Sequence, residues 1–111
     1  MSQPPEPLNL LQAIPDPAAQ EQFVPLLREG GLLLEQIVSH GKASPEGFWY
    51  DQSQPEWVAL LRGTAQLEFD DGARPLVAGD ALLIPAGCRH RVAECSRDAI
   101  WLALHFQARP N

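Results

Sequence analysis

The stretch Gly79-Asp80-Ala81-Leu82-Leu83-Ile84-Pro85-Ala86-Gly87-Cys88-Arg89-His90 carries the clearest chemical signal in the chain. Its pattern, G-x5-P-x-G-x2-H, reads as a strand, a tight turn and a histidine opening the next strand. Pro85 fixes φ and ends the first strand, and Gly87 accepts a positive φ, so the chain reverses and His90 can point back over the sheet. An imidazole held there serves as a metal ligand or an acid–base group. The alternative is a hairpin whose histidine only caps a core.

Other reactive side chains gather close by. Cys88 and Cys95 are the only cysteines, and beside His90 they suggest soft metal ligands. Closed structural zinc sites usually carry a C-x2-C pair, which is missing, so two reduced thiols are expected. Arg89, Arg91 and Arg97 flank the histidine. They read as a solvated face, or else as charges that draw an anionic substrate to the mouth of a site. In Phe48-Trp49-Tyr50-Asp51-Gln52, three aromatics precede two polar residues. In an extended segment Phe48 and Tyr50 face one way and Trp49 the other. That pattern gives barrel core and a subunit contact, or an aromatic wall for a small ligand with the Tyr50 hydroxyl as donor.

A chain of 111 residues makes one domain with room for a real core. Its net charge of −6 and its single lysine, Lys42, argue against nucleic acid, because phosphate backbones demand clustered basic charge. No apolar run is long enough to span a membrane. The first residues, with Pro4, Pro5 and Pro7, carry neither a basic nor an apolar signal segment, so a cytoplasmic protein is expected. Nothing resembles a P-loop, a nucleotide-binding glycine run or a Ser–His–Asp constellation.

The elements that must position these groups are mostly strands. Residues 1–31 are expected to form an arm and a short helix, with Asp16 as cap and Pro17 in the first turn, ended by Pro25 and Gly30-Gly31. From residue 32 to 111 a β-barrel is expected. Strands are predicted over 32–39, 57–62, 64–69, 74–77, 81–84, 90–93 and 99–106, with Asp70-Asp71-Gly72 as a hairpin turn. Seven short strands at this spacing mean an all-β sandwich or barrel.

Strand-rich residues 32–106 with G-x5-P-x-G-x2-H resemble the cupin family of small jelly-roll β-barrels. The end of that family's first motif is also recognisable, as Glu56, six residues, then Gly63. The family's upstream H-x-H pair is absent. Counted back from Glu56 with a four-residue gap, its positions fall on Trp49 and Asp51; with a three-residue gap they fall on Tyr50 and Gln52. The family's closing Asn is replaced by Glu94.

The resemblance implies a divalent metal ion (Mn, Fe, Ni or Zn) held by Glu56 and His90, with Asp51 in a lost histidine's place and His105 as a further candidate. One histidine with two carboxylates is a hard donor set, suited to Mn, Fe or Mg rather than copper. His105 shares its face with Trp101 and Ala103, but both faces of that segment are apolar, and an edge or interface position is the competing expectation. His40, beside Gly41, reads as a turn residue. A metal-free alternative stands beside this one, with Glu56 and His90 paired inside a barrel that has lost its ion. Tyr50 and Gln52 are the expected ligand-orienting groups. Three functions follow: a metal-dependent enzyme acting on a small organic molecule, a small-molecule binding or sensing module, and a dimeric scaffold. A homodimer through apolar sheet faces is expected.

Overall fold

The computed structural model describes residues 3–107; Met1, Ser2 and positions 108–111, assigned above to the arm and to the end of the barrel, lie outside them. Eight strands pack as two antiparallel sheets. They are β1 (Gln22–Glu29), β2 (Leu32–Val38), β3 (Glu56–Arg62), β4 (Thr64–Phe69), β5 (Gly72–Val77), β6 (Ala81–Ile84), β7 (His90–Cys95) and β8 (Ile100–His105). One sheet has the order β1-β2-β8-β3-β6 and the other β5-β4-β7. Between them lie Val58, Leu60, Ala65, Leu67, Leu76, Ile84, Ala99 and Trp101. Leu60 and Ile100 are fully buried.

Seven of the strands occupy the segments expected from the sequence, and the N-terminal helix is replaced by a strand. Asp16 does cap a turn, accepting from Ala18 N–H through Oδ1 (3.0 Å) and from Ala19 N–H through its carbonyl (2.9 Å). The turn goes no further, and by Gln22 the chain is extended and paired with β2. Pro25, expected to end a helix, sits in an edge strand, where a missing N–H costs little, next to a register shift between Pro25 and Leu27. Gly30-Gly31 closes a two-residue hairpin between Glu29 and Leu32, with Gly30 at φ 55°. Residues 22–29 therefore belong to the sheet, and Gly30-Gly31 form the turn before β2.

The segment before β1 crosses the outer face of the larger sheet. Gln36 Nε2 donates to the Leu10 carbonyl (2.6 Å), and the Arg62 guanidinium donates to the carbonyls of Leu11 (2.7 Å) and Ala13 (2.6 Å). His40 pins its end. Its Nδ1 accepts from Asp16 N–H (3.0 Å), which places the proton on Nε2, facing Gln22 Oε1 (3.0 Å). His40 is the turn residue expected, at φ 52°, and it is also buried.

Gly63 shows why the Glu56-x6-Gly63 spacing matters to the fold. It joins β3 to β4 at φ 88°, and a Cβ there would press on Ser96 Oγ, Asp98 Oδ1 and the Ala99 backbone. Ser96 Oγ meanwhile accepts from Thr64 N–H (2.9 Å) and donates to Asp98 (2.7 Å). Gly63→Ala is expected to lower stability by about 1–3 kcal/mol, read as a shift in urea midpoint at unchanged slope.

Candidate functional site

A cavity opens between the two sheets, lined on its floor by Val58, Leu67, Ile84, Val92 and Trp101 and on one wall by carboxylates and imidazoles. Its volume is about 90 Å³. That is the space of roughly three waters at liquid density, enough for the reacting end of a small molecule.

Sheet register builds the polar wall. Glu56 opens β3 and lies directly opposite His105 at the end of β8, so the two side chains leave adjacent strands on the same face. Glu35 on β2 pairs with Ala103, one diagonal step from His105. His90 comes from the opposite sheet, opening β7 across from Phe69. These positions give a continuous chain of contacts. Glu35 Oε1 meets His105 Nε2 at 3.0 Å, and His105 Nδ1 meets Glu56 Oε2 at 3.2 Å. The other oxygen of Glu56 faces His90 Nε2 at 3.9 Å, beyond hydrogen-bond range.

Each ring is fixed by its second nitrogen. His90 Nδ1 donates to the Cys88 carbonyl (3.0 Å) at the end of the Pro85–Cys88 turn, leaving Nε2 as the acceptor turned towards Glu56. Tyr50 stacks on His90 with centroids 5.3 Å apart. A two-way backbone bridge holds the pair: Tyr50 N–H to His90 O at 2.7 Å, His90 N–H to Tyr50 O at 3.1 Å. His105 is caught between two carboxylates. One of them faces each ring nitrogen, Glu35 at Nε2 and Glu56 at Nδ1.

Burial raises the Glu56 carboxyl above its ordinary value; His105 and His90, when protonated, pull it back, and the Glu35 charge adds to the rise. Burial also raises Glu21, which lines the same cavity. The Tyr50 phenol is raised by burial and then by the charges of Glu21, Glu56 and Glu35, so it stays a neutral donor.

The sequence-derived candidates separate cleanly. Glu56, His90, His105, Tyr50 and Gln52 all line the cavity. Asp51 does not; it is exposed. Alternation explains this, because Tyr50 and Gln52 turn inward and the residue between them must turn out. The three-residue gap is thus the one that fits, and a tyrosine and a glutamine stand where the family's two histidines would. His105 faces the interior with Trp101 rather than an edge or interface. Cys88 and Cys95 are free; burial raises the Cys95 thiol, whose Sγ donates to the Lys42 carbonyl (3.3 Å).

Two residues were missed. Glu35 had a signal, a lone carboxylate at period two between Leu33 and Ile37. Glu21 had none, because its segment read as helix.

A family metal does not fit this donor set. Both His105 nitrogens are engaged by carboxylates, Asp51 points away, and only His90 Nε2 and one Glu56 oxygen remain free to converge. Among the described residues no three His, Cys, Asp or Glu side chains stand in an arrangement that would hold a metal ion.

An antiparallel two-sheet barrel with a polar pocket between its sheets is the architecture of the cupins. The cupin domain family matches residues 35–105, and the chain belongs to it. A candidate mannose-6-phosphate isomerase from Ralstonia eutropha JMP134 is 45% identical with a TM-score of 0.86, over 94% of this chain and 100% of that one. KdgF from Halomonas sp. shares 18% identity at a TM-score of 0.69, over 85% of this chain and 86% of that one. A conserved Streptococcus pyogenes protein of unknown function shares 17% at 0.76, over 98% and 93%. These last two show the fold alone. No curated protein matches the chain. Among the described residues no helix is long and apolar enough to cross a membrane.

The raised Glu56 carboxyl has a thermodynamic consequence. Between its ordinary value of 4.5 and its higher folded value, the folded state binds more protons than the unfolded one. Its contribution to stability therefore falls as pH rises through that window. Glu56→Gln removes the titration. Denaturation midpoints from pH 4.5 upward should show wild type losing ground to the variant, and a constant difference would contradict the assignment.

Proposed function

We propose that this cupin is a proton-transfer enzyme that isomerises a small hydroxy-carbonyl compound without a metal ion. The observation that carries the reading is Glu56, buried, raised, and set between a proton-sharing His105 and an accepting His90 Nε2. Acid–base catalysis needs a titratable group within reach of a second one.

In this reading Glu56 Oε1 takes the proton from the carbon beside the carbonyl and returns it to the neighbouring carbon. His90 Nε2 accepts the hydroxyl proton and delivers it to the former carbonyl oxygen. One C–H and one O–H are broken and remade, so the substrate changes only in where its carbonyl lies. Glu35 and His105 are positioning residues that set the basicity of Glu56, and Tyr50 and Gln52 orient the substrate. The name of the Ralstonia relative, a candidate isomerase of a sugar phosphate, supports the reaction class. A cytoplasmic setting agrees with two free thiols.

Glu56→Gln should fold normally and lose at least about a hundredfold in isomerisation, measured as exchange of the substrate's C–H proton with deuterated solvent. Wild type should keep full turnover after dialysis against a chelator. Turnover that vanished with the chelator and returned with a divalent ion would contradict the metal-independent reading.

A homodimer is proposed through the outer face of the larger sheet. Register aligns Leu27, Leu34, Leu104, Trp57 and Leu83 in one row across all five strands. Leu27, Trp57 and Leu83 are exposed at 47%, 37% and 57%. An uncharged row of this kind suits a two-fold contact with itself. Trp57→Glu should convert the dimer to a folded monomer in light scattering, and an unchanged mass would refute the use of this face.

A further inference from the structure

The cavity's charge carries information about the substrate that the name of the Ralstonia relative does not. Glu21, Glu35 and Glu56 all line it, and no described lysine or arginine does. Five of the seven described basic side chains have partners outside it, and the other two, Arg28 and Arg97, are not among the residues that line it. Arg62 is spent on the carbonyls of Leu11, Ala13 and Asp98, and Lys42 Nζ on that of Pro17. Arg91 reaches Glu68 and the Ser44 carbonyl, while Arg74 pairs with Asp71. Arg89 lies over the Trp49 ring, 4.8 Å from its centroid, with Asp70 at 3.8 Å. The described residues form no helix, so no helix N-terminus is available to an anion either.

A phosphate ester carries close to two negative charges at neutral pH and is normally met by arginine, lysine or converging backbone N–H groups. Here it would meet three carboxyl groups, with the imidazoles of His90 and His105 as the only lining groups able to carry positive charge.

Resting on the proton-transfer reading above, we infer that the site takes an uncharged hydroxy-carbonyl compound, a free sugar or a smaller analogue, and rejects the phosphate ester. Glu21 is the selectivity residue. It lines the cavity yet lies outside the Glu35–His105–Glu56–His90 chain, so its charge can be changed without removing an acid–base group.

The experiment titrates the full-length protein with mannose, mannose 6-phosphate and inorganic phosphate, following the Trp101 indole resonance by NMR. Mannose should shift that resonance, while the ester and inorganic phosphate should need at least about tenfold higher concentration. Glu21→Lys should narrow the preference by about tenfold or more. Equal or tighter binding of the ester overturns the inference, as does a Trp101 signal that mannose leaves unmoved or a preference that Glu21→Lys does not change. Solvent-deuterium exchange on both sugars separates the two readings. If only the ester exchanges, and Glu56→Gln stops it, the substrate class falls and proton transfer stands. If mannose binds selectively and never exchanges, the class stands and proton transfer falls.

Discussion

A carboxylate inside a protein needs hydrogen-bond donors to replace the water it has lost, and the pairing of Glu56 with His105 is where this barrel meets that demand. The two residues are register partners on adjacent strands, so the pair is set by the backbone ladder as much as by the side chains. Its consequence spreads in both directions. His105, once held by Glu56 through Nδ1, turns Nε2 towards Glu35, and the second oxygen of Glu56 is left facing His90. A polar cluster in which almost every group has a partner is rigid, and a rigid cluster can hold a proton at a defined atom. One unengaged direction remains, between Glu56 Oε1 and His90 Nε2.

The barrel was legible in the sequence because its strands obey simple rules. Apolar alternation in 64–69, the Asp-Asp-Gly turn and the Pro85–Gly87 reversal each have one good structural solution, and the chain adopts it. β1 was not legible, for a specific reason. Asp16-Pro17, Pro25 and Gly30-Gly31 are the punctuation of a short helix, and they are equally the punctuation of an edge strand followed by a two-residue hairpin. What decides between them is the row of backbone partners that β2 offers, a non-local fact. The site divides in the same way. Glu56 and His90 followed from motif spacing. Asp51 was placed by counting across a gap of uncertain length, and a slip of one residue in an extended segment moves a side chain to the opposite face. The parity of His105 was readable but its direction was not, since both faces of β8 are apolar.

The cupin framework and the chemistry it holds have separated in this chain. The framework residues, Gly63, Gly79, Pro85 and Gly87, are all retained, and three of the four sit at positive φ where an L side chain is strained. The inward positions behave differently. Tyr50 and Gln52 occupy the places of two imidazoles, while Glu35 and His105 supply a carboxylate and an imidazole from strands that carry neither motif. Both ring nitrogens of His105 face carboxylates, Nε2 towards Glu35 and Nδ1 towards Glu56. Fold membership therefore fixes where a site lies without fixing what it holds.

The inward faces of the strands also explain why the polar groups collect at one end. Along β3 the interior residues run Glu56, Val58, Leu60, and along β8 they run Trp101, Ala103, His105. β3 grades from polar to apolar and β8 from apolar to polar, and because the two are antiparallel, the polar start of one lands against the polar end of the other. β7 repeats the gradient from the opposite sheet, with His90 followed by Val92. Leu60 and Trp101 at the closed end exclude water, and the charged end opens towards solvent. Titratable groups set at the edge of a dry core feel strong desolvation on one side and remain reachable on the other. That combination raises Glu56 while leaving it exposed to the cavity.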